Sequence, residues 1–321
     1  MKRFRIRRCY RLILALALVL LVALSGSWLL GSQLTRPVNQ AVRLPSDFPV
    51  KSVSIPGSGH SIAGWWLDQG DHSPVVLLLH PIRSNRSTML SRARLLVRHG
   101  FSVLLIDLQA HGETPGEAIT LGWRESADVT AAVEWLRQRA PARPLGVIGW
   151  SLGGASVLLA PQPAPFDAVV LEAVYPRVDG AVENRLRIRV GPLAPLFSPL
   201  LVNQLPLRLG VSPGELEPIR ALPKLGAPVL IVAGSRDQHT TPAESEELYR
   251  AAAPPKRLWM LEGARHEDFL GYDPAGYERN VVGFLSEHLR PATPSKPAVT
   301  RSGDRSGRGG GRIGGSGGRR R

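Results

Sequence analysis

A serine set among glycines is the residue in this chain best placed for chemistry. Gly149-Trp150-Ser151-Leu152-Gly153-Gly154 fits G-x-S-x-G. Such spacing lets a strand turn sharply into a helix and leave a hydroxyl in a strained conformation at the apex, with glycines where side chains would collide. A serine needs a base, and the base needs an orienting acid. Downstream, in the order serine, acid, histidine, stand Asp237 in Gly234-Ser235-Arg236-Asp237 and His266 in Gly263-Ala264-Arg265-His266. Glu172 is a second candidate for the acid, because it follows another apolar run. His239 and His111 read as loop residues. An acyl-transfer site also needs two amide donors for a developing oxyanion. The Leu152 amide directly after the serine is one. Ile82, in His80-Pro81-Ile82-Arg83, is the choice for the other. This chemistry requires neither metal nor organic cofactor, and no metal-ligand spacing is present in the sequence.

Short apolar runs must carry these residues. Val75 to Leu79, Val103 to Ile106, Leu145 to Ile148, Ala168 to Leu171, Val229 to Val232 and Leu258 to Leu261 fit strands buried on both faces. Val50 to Ile55 and Ile62 to Leu67 suggest an antiparallel opening pair. Helical patterns lie between, at Arg86 to Arg98, Glu125 to Arg139, Leu152 to Leu159 and Ala243 to Ala252, with a closing amphipathic helix at Tyr277 to Leu289. The alternation predicts an α/β fold with a doubly wound, mostly parallel sheet. Its site lies at the carboxyl ends of the strands. Ser151, Asp237, His266 and Ile82 all follow such ends. One stretch breaks the rhythm: Pro176 to Pro223 holds eight prolines and ten leucines. Prolines this frequent allow only short helices, and the leucines need something to cover. A helical lid at about 176–223 is the expectation.

Taken in order, LLLHPIR, LLIDLQAHGET, GWSLGG, GSRDQHTTP and GARHEDF resemble the α/β-hydrolase superfamily, and specifically its serine-nucleophile esterase- or peptidase-like members. The resemblance spans about residues 50–290. It implies the α/β-hydrolase fold, a Ser151–Asp237–His266 triad and an oxyanion hole at Leu152 and Ile82. Pro81 departs from the pattern, since the family usually has glycine there. Proline lacks an N–H and fixes φ, but the donor is the following residue. A serine at the elbow separates the chain from relatives with an aspartate nucleophile, such as dehalogenases and epoxide hydrolases.

The two ends explain the charge. The net charge of +14 is carried by six cations within residues 1–11 and by nine within 290–321 set against Asp304 alone. What lies between is neutral, so no specific nucleic-acid binding is expected of the folded part. Residues 1–11 form a basic leader. Leu12 to Leu30 is a nineteen-residue run without charge, long enough to span a bilayer. The cations before it place the leader in the cytoplasm and the following domain in the periplasm or outside the cell. Cleavage of a signal segment near Ala23-Leu24-Ser25, giving a secreted protein, is the alternative. Cys9, the single cysteine, stays with the leader, which suits export of the rest to an oxidising compartment. Residues 31–49 read as a linker, 50–290 as the hydrolase domain and 291–321 as a disordered basic tail rich in Gly and Arg, able to meet anionic lipid or polymer.

The expectation is therefore a membrane-anchored serine hydrolase that cleaves a small-molecule ester, thioester or amide through an acyl-Ser151 intermediate. Two alternatives use the same sequence: acyl transfer through the same triad, and a catalytically silent scaffold that binds through its tail.

Overall fold

The computed structural model describes residues 2–161 and 165–290; the tail assigned to 291–321 lies outside them. A long helix α1 (Lys2–Thr35) opens the chain, followed by the short strand β1 (Val38–Asn39). Strands β2 (Lys51–Pro56), β3 (Ser61–Leu67) and β4 (Val75–Leu79) lead to α2 (Leu90–Arg98) and β5 (Ser102–Ile106). Next come β6 (His111–Gly112), α3 (Glu125–Arg139), β7 (Leu145–Trp150), α4 (Leu152–Leu158) and β8 (Ala168–Glu172). After the helices α5 (Val178–Val190), α6 (Ala194–Val202) and α7 (Leu205–Leu209), the chain returns through β9 (Val229–Gly234), α8 (Pro242–Ala251) and β10 (Lys256–Leu261). The last turns are α9 (Phe269–Tyr272), α10 (Pro274–Tyr277) and α11 (Gly283–His288).

The fold is an α/β-hydrolase fold. Eight strands form one sheet in the order β10-β9-β8-β7-β4-β5-β3-β2. Pairing is parallel from β10 through β5, and β3 and β2 add antiparallel at the far edge. The central strands are apolar throughout because helices cover both faces. In β4, Val75, Leu77 and Leu79 enter the core on one face, while Val76 and Leu78 enter the core on the other. Full burial of each such side chain stabilises the fold by about 1.5–3 kcal/mol. Helix α3 faces the sheet with Val129, Ala132, Val133 and Leu136, the one-stripe spacing of an amphipathic helix. Acids in its first turn and arginines in its last oppose the helix dipole.

Two regions depart from the sequence expectations in detail. Helix α1 runs past Leu30 to Thr35, and residues 31–49, read as a linker, pack on the domain. Val38 and Asn39 pair with His111 and Gly112, and Val42 and Phe48 are buried. The closing helix begins at Pro274 rather than Tyr277, and a π turn at Glu278–Val282 joins its halves. Between β8 and β9 the prolines act as the sequence requires. The longest helix, α5, is the proline-free one, whereas α6 and α7 are short and carry proline in their first turn.

Candidate active site

Strand β7 ends at Trp150 and α4 begins at Leu152, so Ser151 is the entire turn. Its φ is 51° and ψ is −107°, a conformation that costs a non-glycine residue on the order of 1–3 kcal/mol. The glycines around it are set by close approach. A Cβ on Gly149 would lie 2.5 Å from Gly154, and one on Gly153 would lie 2.5 Å from the Leu79 carbonyl oxygen. A larger residue at 149 would push α4 away from β7, and one at 153 would push it away from β4. The Ser151 N–H donates to the Glu172 carbonyl at 2.8 Å, tying the elbow to β8.

Asp237 and His266 are brought together by strand register. Strands β9 and β10 are parallel with Gly234 opposite Leu261, so the loops that follow them run side by side. The His266 Nδ1–H donates to Asp237 Oδ2 at 2.7 Å. That carboxylate also accepts from the His239 N–H at 2.7 Å, the Thr240 N–H at 3.0 Å and the Thr240 hydroxyl at 2.7 Å. Burial pushes the Asp237 carboxyl up, but the bonds and charge from His266 and Thr240 outweigh this and hold it below its ordinary value. With Nδ1 as donor, Nε2 of His266 is the free acceptor. His239 stacks near it, with ring centroids 5.0 Å apart, and makes only a backbone contact with Asp237. Ser151 and His266 share the carboxyl edge without a direct hydrogen bond.

Glu172 takes no part in this arrangement. Its carboxylate is buried against Arg92, with Nη2–Oε2 at 2.6 Å, and accepts from the Tyr277 hydroxyl. Arg92 reaches on to Asp268 at 2.8 Å and lies over the Trp150 ring at 4.7 Å.

The loop after β4 is held by two histidines, His80 within it and His111 of β6, that the sequence reading did not single out together. His80 Nε2 accepts from the Leu108 N–H at 3.0 Å, and its Nδ1–H donates to the Pro81 carbonyl at 2.8 Å. His111 Nε2 accepts from the Arg83 N–H at 3.0 Å. The two rings are 5.1 Å apart. Burial lowers both to a pKa of about 4, with the His80 ring also acting on His111; both are neutral acceptors at ordinary pH. Their bonds to the Pro81 carbonyl and the Arg83 N–H hold the backbone on either side of Ile82. The usable signal in the sequence was a histidine directly after each of two apolar runs or their turns.

Ser151, Leu152 and Ile82 open onto one cavity of about 130 Å³. Val178, Val182, Leu201 and Leu205 from the α5–α7 insertion wall its other side, and Gly31, Leu34 and Thr35 of α1 close it. Arg83, Arg185 and Arg208 stand around its lining. Among the described residues no group of three or more His, Cys, Asp or Glu side chains is arranged to hold a metal ion.

Comparison with known proteins agrees with this architecture. An uncharacterized Mycobacterium tuberculosis protein is 32% identical over 281 residues, covering 82% of this chain and 90% of its own. The uncharacterized protein YqkD of Bacillus subtilis is 26% identical over 232 residues, covering 71% and 76%. A pimeloyl-[acyl-carrier protein] methyl ester esterase of Neisseria meningitidis is 26% identical over 226 residues, covering 58% and 70%. Among solved structures, the Pyrococcus furiosus esterase Pf2001 superposes with a TM-score of 0.65 at 23% identity, over 79% of this chain and 100% of that one. The model of the alpha/beta hydrolase family matches residues 53–279. With that match spanning the elbow, the Asp237 loop and the His266 loop, the chain belongs to the alpha/beta hydrolase family.

Proposed function

We propose that this hydrolase cleaves carboxylic esters, or the related thioesters and amides, with Ser151 as nucleophile, His266 as general base and Asp237 as its orienting acid. The observation that carries the reading is the strained Ser151 elbow, which shares one apolar cavity with the Leu152 and Ile82 backbones. His266 Nε2 takes the Ser151 proton as Oγ attacks the carbonyl carbon, and returns it to the leaving group. The carboxylate of Asp237, already bonded to Nδ1–H, holds the tautomer and stabilises the imidazolium. The amides of Leu152 and Ile82 receive the oxyanion. Water then releases the acyl group. The Neisseria relative acts on a methyl ester, which supports ester chemistry.

The same reading makes α1 a single-pass anchor, with the catalytic domain on the far side from the basic leader. Tyr10–Thr35 is long and apolar enough to cross a bilayer. Its last turns support retention over cleavage, because they are built into the domain. Arg208 donates to Ser32 Oγ at 2.8 Å and to the Trp28 carbonyl at 2.7 Å, and the Ile119 N–H donates to the Thr35 carbonyl at 2.8 Å.

A fluorophosphonate probe on the full chain tests the proposal. Wild type is expected to label and to hydrolyse p-nitrophenyl butyrate, while Ser151→Ala does neither, a loss on the order of a million-fold in kcat. Labelling that survives in Ser151→Ala would overturn the assignment.

A further inference from the structure

Helix α6 has two apolar faces. Ala194, Ser198, Leu201 and Val202 face inward, while Leu193, Leu196 and Phe197 are exposed, Leu196 by 69%. Leu207 of α7 is 84% exposed. Val190 to Leu207 is a run of eighteen residues without a charged side chain. A helix apolar all round belongs in a core or in lipid, and only the inner face of α6 is in a core. Its main partner is α5, and it also touches α1, the helix proposed to cross the bilayer. Gln204 Nε2 donates to Ser27 Oγ at 3.1 Å, and Arg208 lies over the Trp28 ring at 4.2 Å. A tryptophan near the end of an apolar helix marks the headgroup level. Contact with α1 therefore sets the exposed leucines of α6 and α7 at the depth where that helix leaves the membrane.

Charge points the same way. Arg185 donates only to the Ala181 carbonyl, and Asp237 and Glu244 act on it through space without forming an ion pair. Arg83 donates to the Gln33 carbonyl. Arg208 has its Nε buried without a partner. Three guanidinium groups thus line the Ser151 cavity with no carboxylate on any of them. Arg185 and Arg208 are partly buried and Arg83 is exposed; a partly buried cation with no bonded counter-ion is costly, and an anionic ligand would relieve it. The cavity, at about 130 Å³, is too small to enclose a lipid, so a long acyl chain would lie mostly outside it, along α6 and α1.

We propose that the substrate is an anionic acyl lipid drawn from the bilayer. The exposed face of α6 and α7 docks in the leaflet that α1 enters, the ester reaches Ser151 beside the end of α1, and the arginines receive the headgroup phosphate. Ser151 Oγ bonds to the acyl carbon, and the lipid's alkoxide leaves with the proton carried by His266. Water then adds to the acyl carbon, so that fatty acid and lysolipid are the products. The inference rests on Ser151 as nucleophile and α1 as anchor.

The test uses the full chain reconstituted in phosphatidylcholine vesicles with and without phosphatidylglycerol. Four readouts are followed: fluorophosphonate labelling, p-nitrophenyl butyrate turnover, octanoyl-CoA turnover and fatty-acid release from the vesicles. Wild type is expected to release fatty acid faster from the phosphatidylglycerol vesicles. The double variant Leu196→Glu/Leu207→Glu, altered at two solvent-exposed positions, should lose that release at least tenfold while labelling and butyrate turnover stay within twofold. Arg185→Gln should lose the preference for phosphatidylglycerol. Vesicle hydrolysis unchanged in the double variant overturns the docking surface. Butyrate or octanoyl-CoA turnover without any release from vesicles overturns the lipid substrate and leaves the nucleophile standing. Absence of labelling in wild type overturns the catalytic reading itself.

Discussion

Two sets of arginines in this protein live under opposite rules. Beneath the sheet edge, Arg92 is wholly buried yet bonded to Glu172 and Asp268, and Arg86 is bonded to Asp107 and Glu113. Around the insertion, Arg83, Arg185 and Arg208 make no ion pair and share their surroundings with exposed leucines. The first region pairs each guanidinium with carboxylates of the chain itself, although the Arg86 Nε is left without a partner. The second leaves its guanidinium groups bonded only to carbonyl, amide and hydroxyl oxygens, beside apolar side chains in the open, and it is on this surface that the proposed lipid contact rests.

The contrast can be broken from the self-sufficient side. Asp237→Asn keeps the geometry near His266 but lets the wrong tautomer compete; kcat for p-nitrophenyl butyrate should drop about 10⁴-fold. A drop below tenfold would remove Asp237 from the mechanism. Arg92→Met strands the Glu172 carboxylate in the interior and should destabilise the fold by about 3–5 kcal/mol. Urea unfolding of the detergent-solubilised chain checks this, and an unchanged midpoint would show that the pair is dispensable.

Acid supplies a third probe of the same region. His80 and His111 have folded-state pKa values of about 4 against an ordinary 6.5. Between these values the unfolded chain binds protons that the folded chain refuses, so stability must fall as pH drops from 6.5 towards 4. The size is about 3 kcal/mol for each histidine. Unfolding midpoints at pH 7.5, 5.5 and 4.5 should descend in that order; a flat profile would mean that the rings are not held neutral.

The smallest effect sharpens the contrast from the other side. In detergent, Leu196→Ala should change stability by less than about 0.5 kcal/mol, whereas Leu77→Ala in the sheet should cost about 2–5 kcal/mol. Comparable losses at both positions would place Leu196 in a core.

How much of this was legible in the residues varies by region. Strand β4 and helix α3 match the ranges expected from pattern alone, because five unbroken apolar residues and a 3.6-residue stripe each have one economical way to exclude water. The elbow was legible for a similar reason, since glycine, serine and glycine at that spacing after a strand satisfy a local steric demand. Residues 31–49 read as a linker because the partners of Val38 and Asn39, His111 and Gly112, are some seventy positions away. Glu172 stood open as a candidate acid because it follows a strand end just as Asp237 does. Nothing local distinguishes them, and only packing directs one towards Arg92 and the other towards His266.

The sequence by itself determined the alternation of strands and helices, the turn at Ser151 and the chain order of the residues that follow, all matters of local sterics and periodic burial. Tertiary structure alone decided which carboxylate meets the imidazole, how two neutral histidines hold the loop carrying Ile82, and that the end of α1 walls the cavity beside Ser151. Each of those depends on side chains far apart in sequence converging in a low-dielectric interior, where a single hydrogen bond or ion pair fixes an orientation that no local pattern encodes.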